Sequence, residues 1–511
     1  MSLEVNPLFA DNMVLQRGKA IKVWGSAPSD DTITIAIGEQ KASARSINGL
    51  WTASLPPMEA ANATEMKISS KASGEMIVIR NVAIGEVWIA GGQSNMEFLL
   101  KFDAEAEQAI AAANNPHIRF YDTPKTSYRG QELEEDFSAY GFWRVCDAEN
   151  AVNYSAVGYY FAQQLYLELQ VPIGIVGCNW GGTTASTWLD ETFLSRDEDL
   201  QSYLNEYENV VSKLDIQEYE RKFKLGRQAS REPEAVKFMD QLLAGDVTHE
   251  QFVERMKQVD LSLYLLIGPK YMNRPGGLYH GMVSRIIGFA ARGVIWYQGE
   301  SDDIKAHMYE KLFTAVIQCW REAWQEELPF LFVQLAPFGS WPGASGQSFP
   351  ILREQQENVS KNVSQAYMAS IMDAVLERDI HPKYKRPVGE RLALLARGKV
   401  YGQQVICESP EVKNAILEGD QLRLTFKHTG DGMIVKGDAV AGIQLFAGDE
   451  KLADFKVFVQ GDAMDIQCQG LKDKDSIEVR FAWTAFVQVN VYSSVGLPLK
   501  PFKLTLLRTS S

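Results

Sequence analysis

Val87-Trp88-Ile89-Ala90-Gly91-Gly92-Gln93-Ser94-Asn95-Met96 is the stretch whose reading decides the fold. Four apolar residues run without interruption, two glycines follow, and a serine stands between two amides. A short continuous apolar run bounded by turn residues is the pattern of a strand covered on both faces. Similar runs recur at 173–178, 293–297, 330–335 and 367–372, and helical patterns separate them at 156–169, 278–291 and 308–324. The alternation predicts an α/β fold with a central parallel sheet and helices on both sides. Ligands of such sheets bind beyond the carboxyl ends of the strands. Ser94 stands at one such end.

Outward from this core the grammar changes. Residues 1–81 contain short β-branched runs such as Ile33-Thr34-Ile35-Ala36-Ile37, separated by Gly, Ser, Asp and Asn, and read as a β-sandwich-like domain. Residues 82–408 form the α/β domain, interrupted at about 191–273 by a charged, helical insertion. In it Phe252, Met256, Val259 and Leu263 fall at helical spacing, a stripe that reads as packing. The insertion adjoins the strand-end loops, so a lid or substrate wall and a plain surface decoration are both open. Residues 409–511 return to β-type runs and read as a second β-sandwich-like domain.

A length of 511 residues fits roughly three domains. The net charge of -14, with no basic block, argues against a nucleic-acid partner. No apolar run approaches the ~20 residues that span a bilayer. The five cysteines, Cys146, Cys178, Cys319, Cys407 and Cys468, show no metal-ligand spacing and read as buried thiols. Met1-Ser2-Leu3 runs straight into a strand-like segment. If an export signal preceded it, a secreted or periplasmic setting is favoured.

The glycines before Ser94 permit a sharp turn, after which the serine opens a helix through Phe98 and Leu99. Two readings compete there: a helix cap, or a hydroxyl beside open backbone N–H groups that favour negative charge. A serine nucleophile needs a base. Among six histidines, His117, His249 and His428 lie away from strand ends, and His280 and His307 lie on or beside helix patterns. His381 follows the fifth strand, before a helix expected from Pro387 to Gly398, and Asp379 stands two residues earlier. Two further loops follow strands. Asn179-Trp180-Gly181-Gly182-Thr183 offers backbone N–H groups, or is a plain turn. Gln298 offers an amide donor suited to an oxyanion. Glu300 and Asp302 could instead be a glycosidase pair, but both come from one loop.

Together, Gly92-Gln93-Ser94-Asn95-Met96, Trp180-Gly181-Gly182-Thr183, Trp296-Tyr297-Gln298-Gly299-Glu300-Ser301 and Asp379-Ile380-His381-Pro382 resemble the SGNH-hydrolase superfamily, and within it the sialate O-acetylesterase and carbohydrate acetylesterase branch. The segments occur in the family's order. The resemblance implies an SGNH-type three-layer fold and hydrolysis of O-acetyl esters on sugars, in the manner of a sialate 9-O-acetylesterase. It implies Ser94 as nucleophile, His381 as base, and Ser94 N–H, a glycine N–H (Gly182 chosen over Gly181) and Gln298 as oxyanion donors. The family's acid normally stands three residues before the histidine, where this chain has Arg378. Asp379, Glu300 or a backbone carbonyl could take that part.

In this scheme His381 deprotonates Ser94, an acetyl-enzyme forms, and water hydrolyses it without metal or cofactor. Trp180 and Trp188 could pack against the sugar, or in the core, and Glu300 could touch it. With an ordinary imidazole the rate would fall as pH drops through about 6.5, and a flat profile to about pH 5 would speak against His381. Alternatives are an acetylxylan or other glycan acetylesterase of the same mechanism, and a non-catalytic carbohydrate-binding protein.

Overall fold

The computed structural model describes residues 2–264, 266–341, 344–374 and 377–507. Met1, Leu265 of the expected insertion and the last four residues of the expected C-terminal region lie outside the described residues. The chain forms two compact units, residues 1–298 with 311–330, and residues 299–310 with 331–511.

The first unit is organised by its central sheet. In chain order its elements are β1 (Met76–Gly92), the one-turn helix α1 (Ser94–Glu97), β2 (Asn115–Asp122), β3 (Trp143–Cys146), α2 (Ala156–Leu169), β4 (Ile173–Asn179) and β5 (Gly293–Tyr297). The strands pair in the order β3-β2-β4-β1-β5. β4 runs parallel to both β2 and β1, and β5 parallel to β1. β3 closes the edge antiparallel to β2, so the sheet is mixed rather than the parallel one the alternation predicts. Parallel neighbours are usually joined through a crossover helix, and the link from β2 to β3 holds only the short 3₁₀ turn Gln131–Leu133.

Every residue of β4 and β5 is buried, as a continuous apolar run requires, whereas Thr32–Ile37 alternates buried with more exposed positions. Each fully buried Ile or Val contributes about 1.5–3 kcal/mol relative to exposure. α2 occupies the residues its pattern predicts. Ser155 caps it by accepting the Gly158 N–H at 3.0 Å, and Gln170 ends it in the left-handed region at φ 53°. The helix expected over 278–291 is shorter: a π-turn at Tyr279–Val283 and one helical turn at Ser284–Ile286, followed by Gly288 at φ +87°.

β1 is 17 residues long and serves two sheets. Its first half pairs antiparallel with Ala61–Ser70, and its second half lies between β4 and β5. The expected boundary at 81/82 therefore falls inside one strand. Within it Glu86 is wholly buried, with Arg17 Nε 2.6 Å and Arg292 Nε 2.7 Å from its carboxylate. Burial alone would raise its pKa, but Arg292 and Arg17 hold it below the usual carboxylate range.

The insertion is helical, with helices Glu191–Leu194, Gln201–Val211, Ile216–Ser230, Pro233–Ala244 and His249–Lys257. In the last four, only Tyr219 and Gly226 are buried. Phe252, Met256, Val259 and Leu263 are half-buried and line an apolar cleft of about 1110 Å³ with Phe238 and Met239.

In the second unit, helix Arg386–Leu395 carries Pro387 in its first turn and runs into a π-turn at Ala396–Val400, close to the expected span. Two four-stranded antiparallel sheets follow. Alternate residues from both, including Leu422, Leu424, Ile466, Val479 and Phe481, form one core. The strand expected at 487–491 begins only at Val491, because Asn490 bonds the carbonyls of Lys436 and Ala439 through its side chain. All five cysteines are free and buried. Among the described residues no helix is long and apolar enough to cross a membrane.

Candidate active site

β1 ends in a tight turn. Gly92 has φ +127°, and a Cβ there would collide with the Tyr297 carbonyl, so the backbones of β1 and β5 touch where only glycine fits. The next N–H, of Gln93, donates to that same carbonyl at 2.9 Å. Gln93 is the N-cap of α1, and its side chain makes no capping bond. Ser94 is thus the first helical residue and not the cap, and it is partly exposed at the carboxyl end of β1.

The loop after β4 is tied on almost every side. Trp180 N–H donates to Gly92 O at 3.0 Å. Gly181 N–H donates to Glu97 Oε2 at 2.6 Å. Thr183 Oγ1 donates to Trp180 O at 2.7 Å and accepts Trp188 Nε1 at 3.0 Å. Asn273, at the far end of the insertion, donates to Gly182 O and accepts the Thr184 N–H, both at 2.9 Å. Gln298 is wholly buried, and its Nε2 donates to Thr183 O at 3.1 Å. Among the described residues, the backbone N–H groups of Gly182 and Thr183 have no partner within this loop network. Gly182 is exposed at φ +74°.

Ser94, Gly182 and Gln298 therefore belong to one unit, in loops that follow β1, β4 and β5. Trp180 is half-buried and lines a cleft of about 400 Å³ together with Gly182, Phe223, Tyr264, Tyr271 and Asn273. Trp188 is fully buried and meets Trp296 edge-on at 6.1 Å, so it packs the core and does not face a ligand.

His381, Asp379 and Glu300 belong to the second unit. The Asp379 carboxylate accepts the backbone N–H of His381 at 2.9 Å, which shapes the turn. Burial raises the Asp379 pKa, opposed by that hydrogen bond and by Lys383 and Lys385. Burial, reinforced by Lys385 and Lys383, lowers His381 to about 4. A His381 base then stays neutral well below pH 6, so a flat profile to about pH 5 no longer speaks against it. Glu300 and Asp302, both buried, sit in the first turn of a single 3₁₀ segment. Glycosidase carboxylates instead flank the bond from two sides.

Glu97 and Asn273 were not singled out by sequence reasoning. Glu97 stands three residues after Ser94, on the same helix face, a signal that was available. Asn273 lies beyond an insertion of some eighty residues and gives none. Among the described residues one group of metal-type ligands converges, Asp190, Glu191 and His280. A His280–Glu191 contact at 2.6 Å and the capping of helix Glu191–Leu194 by Asp190 account for it.

Residues 267–395 match the family model described as carbohydrate esterase, sialic acid-specific acetylesterase. A crystal structure of a carbohydrate acetylesterase from Xanthomonas citri superposes with a TM-score of 0.76 at 28% identity, over 98% of this chain and 99% of that one. The family match, the sialate O-acetylesterase relatives and the structural likeness together support this carbohydrate acetylesterase family. Within it, the sialate O-acetylesterase of Rattus norvegicus is 26% identical over 78% of this chain and 73% of its own length. The human sialate O-acetylesterase is 26% identical over 77% and 70%.

Proposed function

We propose that this protein is a carbohydrate O-acetylesterase that releases acetate from O-acetylated sugars through a serine acetyl-enzyme. What supports the chemistry best is the setting of Ser94: first residue of a one-turn helix at a strand's carboxyl end, beside a loop whose Gly182 N–H has no partner among the described residues. The family and its full-length structural relative support the substrate class.

In the scheme, His381 takes the Ser94 proton as Oγ attacks the acetyl carbonyl. The oxyanion is held by the Ser94 and Gly182 N–H groups and the Gln298 amide. Gly181 is the weaker choice as donor, since its N–H is already engaged by Glu97. The sugar oxygen leaves with the proton from His381, and water, deprotonated by the same imidazole, then frees acetate. Asp379 acts on His381 through the turn it caps. Trp180 and the insertion wall the sugar in their shared cleft, and Glu300 contributes to substrate binding. The scheme uses no metal or cofactor. It goes with an SGNH-type three-layer arrangement, with regions at 1–81, 82–408 and 409–511, and with a sialate 9-O-acetyl ester as first substrate to try.

The test is acetate release from an aryl acetate and a panel of acetylated glycans. Ser94→Ala is expected to lower kcat by at least about 10³-fold. Full activity in purified Ser94→Ala would overturn the scheme. Saturable glycan binding without turnover would favour a binding module.

A further inference from the structure

We propose that Glu97 is a positioning residue for acyl transfer: it grips the loop after β4 so that Gly182, and not Gly181, presents its N–H beside Ser94. The proposal rests on the esterase reading above. Ser94 and Glu97 are the first and last residues of α1, three apart and so on one face of the turn. One carboxylate oxygen of Glu97 accepts the Gly181 N–H at 2.6 Å, a charge-assisted bond of the short, strong kind. The other is paired with Lys125. Glycine at position 181 eases the approach: a Cβ there would crowd Ser94 Cβ at 3.2 Å and meet Glu97 Oε2 at 3.4 Å. The helix that carries the nucleophile thus holds the loop that carries the donor, directly and without an intervening residue.

The grip decides which donor faces the reacting centre. With Gly181 N–H held by Glu97 and Gly182 O by Asn273, the peptide planes before and after the Gly181–Gly182 peptide are set, and the Gly182 N–H lies in the peptide between them. Releasing Gly181 would leave the first of these planes held only through Trp180 O, by Thr183 Oγ1, and so loosen the Gly182 N–H that follows it. A carboxylate this close would oppose a developing oxyanion unless its charge were balanced, and Lys125 supplies that balance.

The experiment is steady-state hydrolysis of an aryl acetate, together with inhibition by an aryl boronic acid, which forms a tetrahedral adduct on a serine nucleophile. Glu97→Ala is expected to lower kcat about tenfold to hundredfold. KM stays within about twofold, and the boronate weakens in proportion to kcat/KM. Glu97→Gln keeps an acceptor for Gly181 N–H and recovers most of the loss. If Glu97→Ala does not fold, Glu97→Gln decides: it keeps the acceptor for Gly181 N–H without the charge, and kcat stays near wild type. Wild-type kcat in Glu97→Ala, a kcat in Glu97→Gln lowered about tenfold or more, or boronate affinity unmoved while activity falls would each overturn the proposal. An inactive wild type, or an active Ser94→Ala, would instead overturn the esterase reading and the proposal with it.

Discussion

The loop at 180–184 and the helical insertion at 191–273 wall the same cleft, but they are held in opposite ways. The loop is five residues long, and Glu97, Asn273, Gln298, Trp188 and Gly92 all bond to it. The insertion is some eighty residues long, and its helices beyond Leu194 bury only Tyr219 and Gly226. Val236, Met239, Leu261 and Tyr264 remain 41–52% exposed. The contrast separates two demands. A donor for an oxyanion must sit within a fraction of an ångström of its place, because misplacement by about 1 Å can cost a hundredfold in rate. A wall for sugars of varying shape, the part proposed for the insertion, needs no such precision, and segments with few buried contacts open most easily.

The largest effect expected from this contrast lies in the tied loop. Gln298→Ala removes the proposed oxyanion donor and the bond from Gln298 to Thr183 O, and kcat is expected to fall about 10²–10³-fold. A loss below tenfold would mean that the loop holds its shape without Gln298. Asn273→Ala cuts the tie between insertion and loop, with an expected loss of about tenfold in kcat/KM, larger for glycan esters than for aryl acetates. Equal losses on both substrates would place its effect on the donor alone. The pH profile is the next measurement. With His381 lowered to about 4, kcat/KM stays level from pH 7 to about 5 and drops as pH approaches 4 and the imidazole gains a proton. A midpoint near 6.5 would mean that His381 is solvated during turnover. The smallest effect belongs to the insertion's surface: Met239→Ser is expected to change stability by no more than about 0.5 kcal/mol. A large drop in melting temperature would show the insertion to be better packed than its exposure indicates.

How much of this was legible in the sequence follows from the physics of each feature. β5 has the bounds its apolar run predicts, because five consecutive buried residues leave little choice. α2 was legible from its serine cap and apolar run. The Ser94 turn was legible because two glycines advertise it. The antiparallel edge formed by β3 was not, since a four-residue strand carries no mark of its direction. The shortened helix after Leu278 was missed because its apolar spacing continues past Gly288, where the backbone turns. The grip of Glu97 on Gly181 joins residues 84 positions apart and depends on the sheet order, which no local pattern encodes. The depressed pKa of His381 has the same origin: burial is a property of the fold, and the reference value of about 6.5 ignores it.

The double service of β1 has a consequence for how this chain can be taken apart. A strand hydrogen-bonded to the N-terminal antiparallel sheet in its first half and to the parallel strands in its second transmits loss of either partner along one backbone. Deleting residues 1–75 would expose the edge of its first half, an invitation to intermolecular pairing, and would remove the arginine at position 17 that faces buried Glu86. The N-terminal region is on this view no detachable accessory. It and the serine-bearing turn melt as one cooperative block, and a shortened chain would fail by aggregation before its chemistry could be assayed.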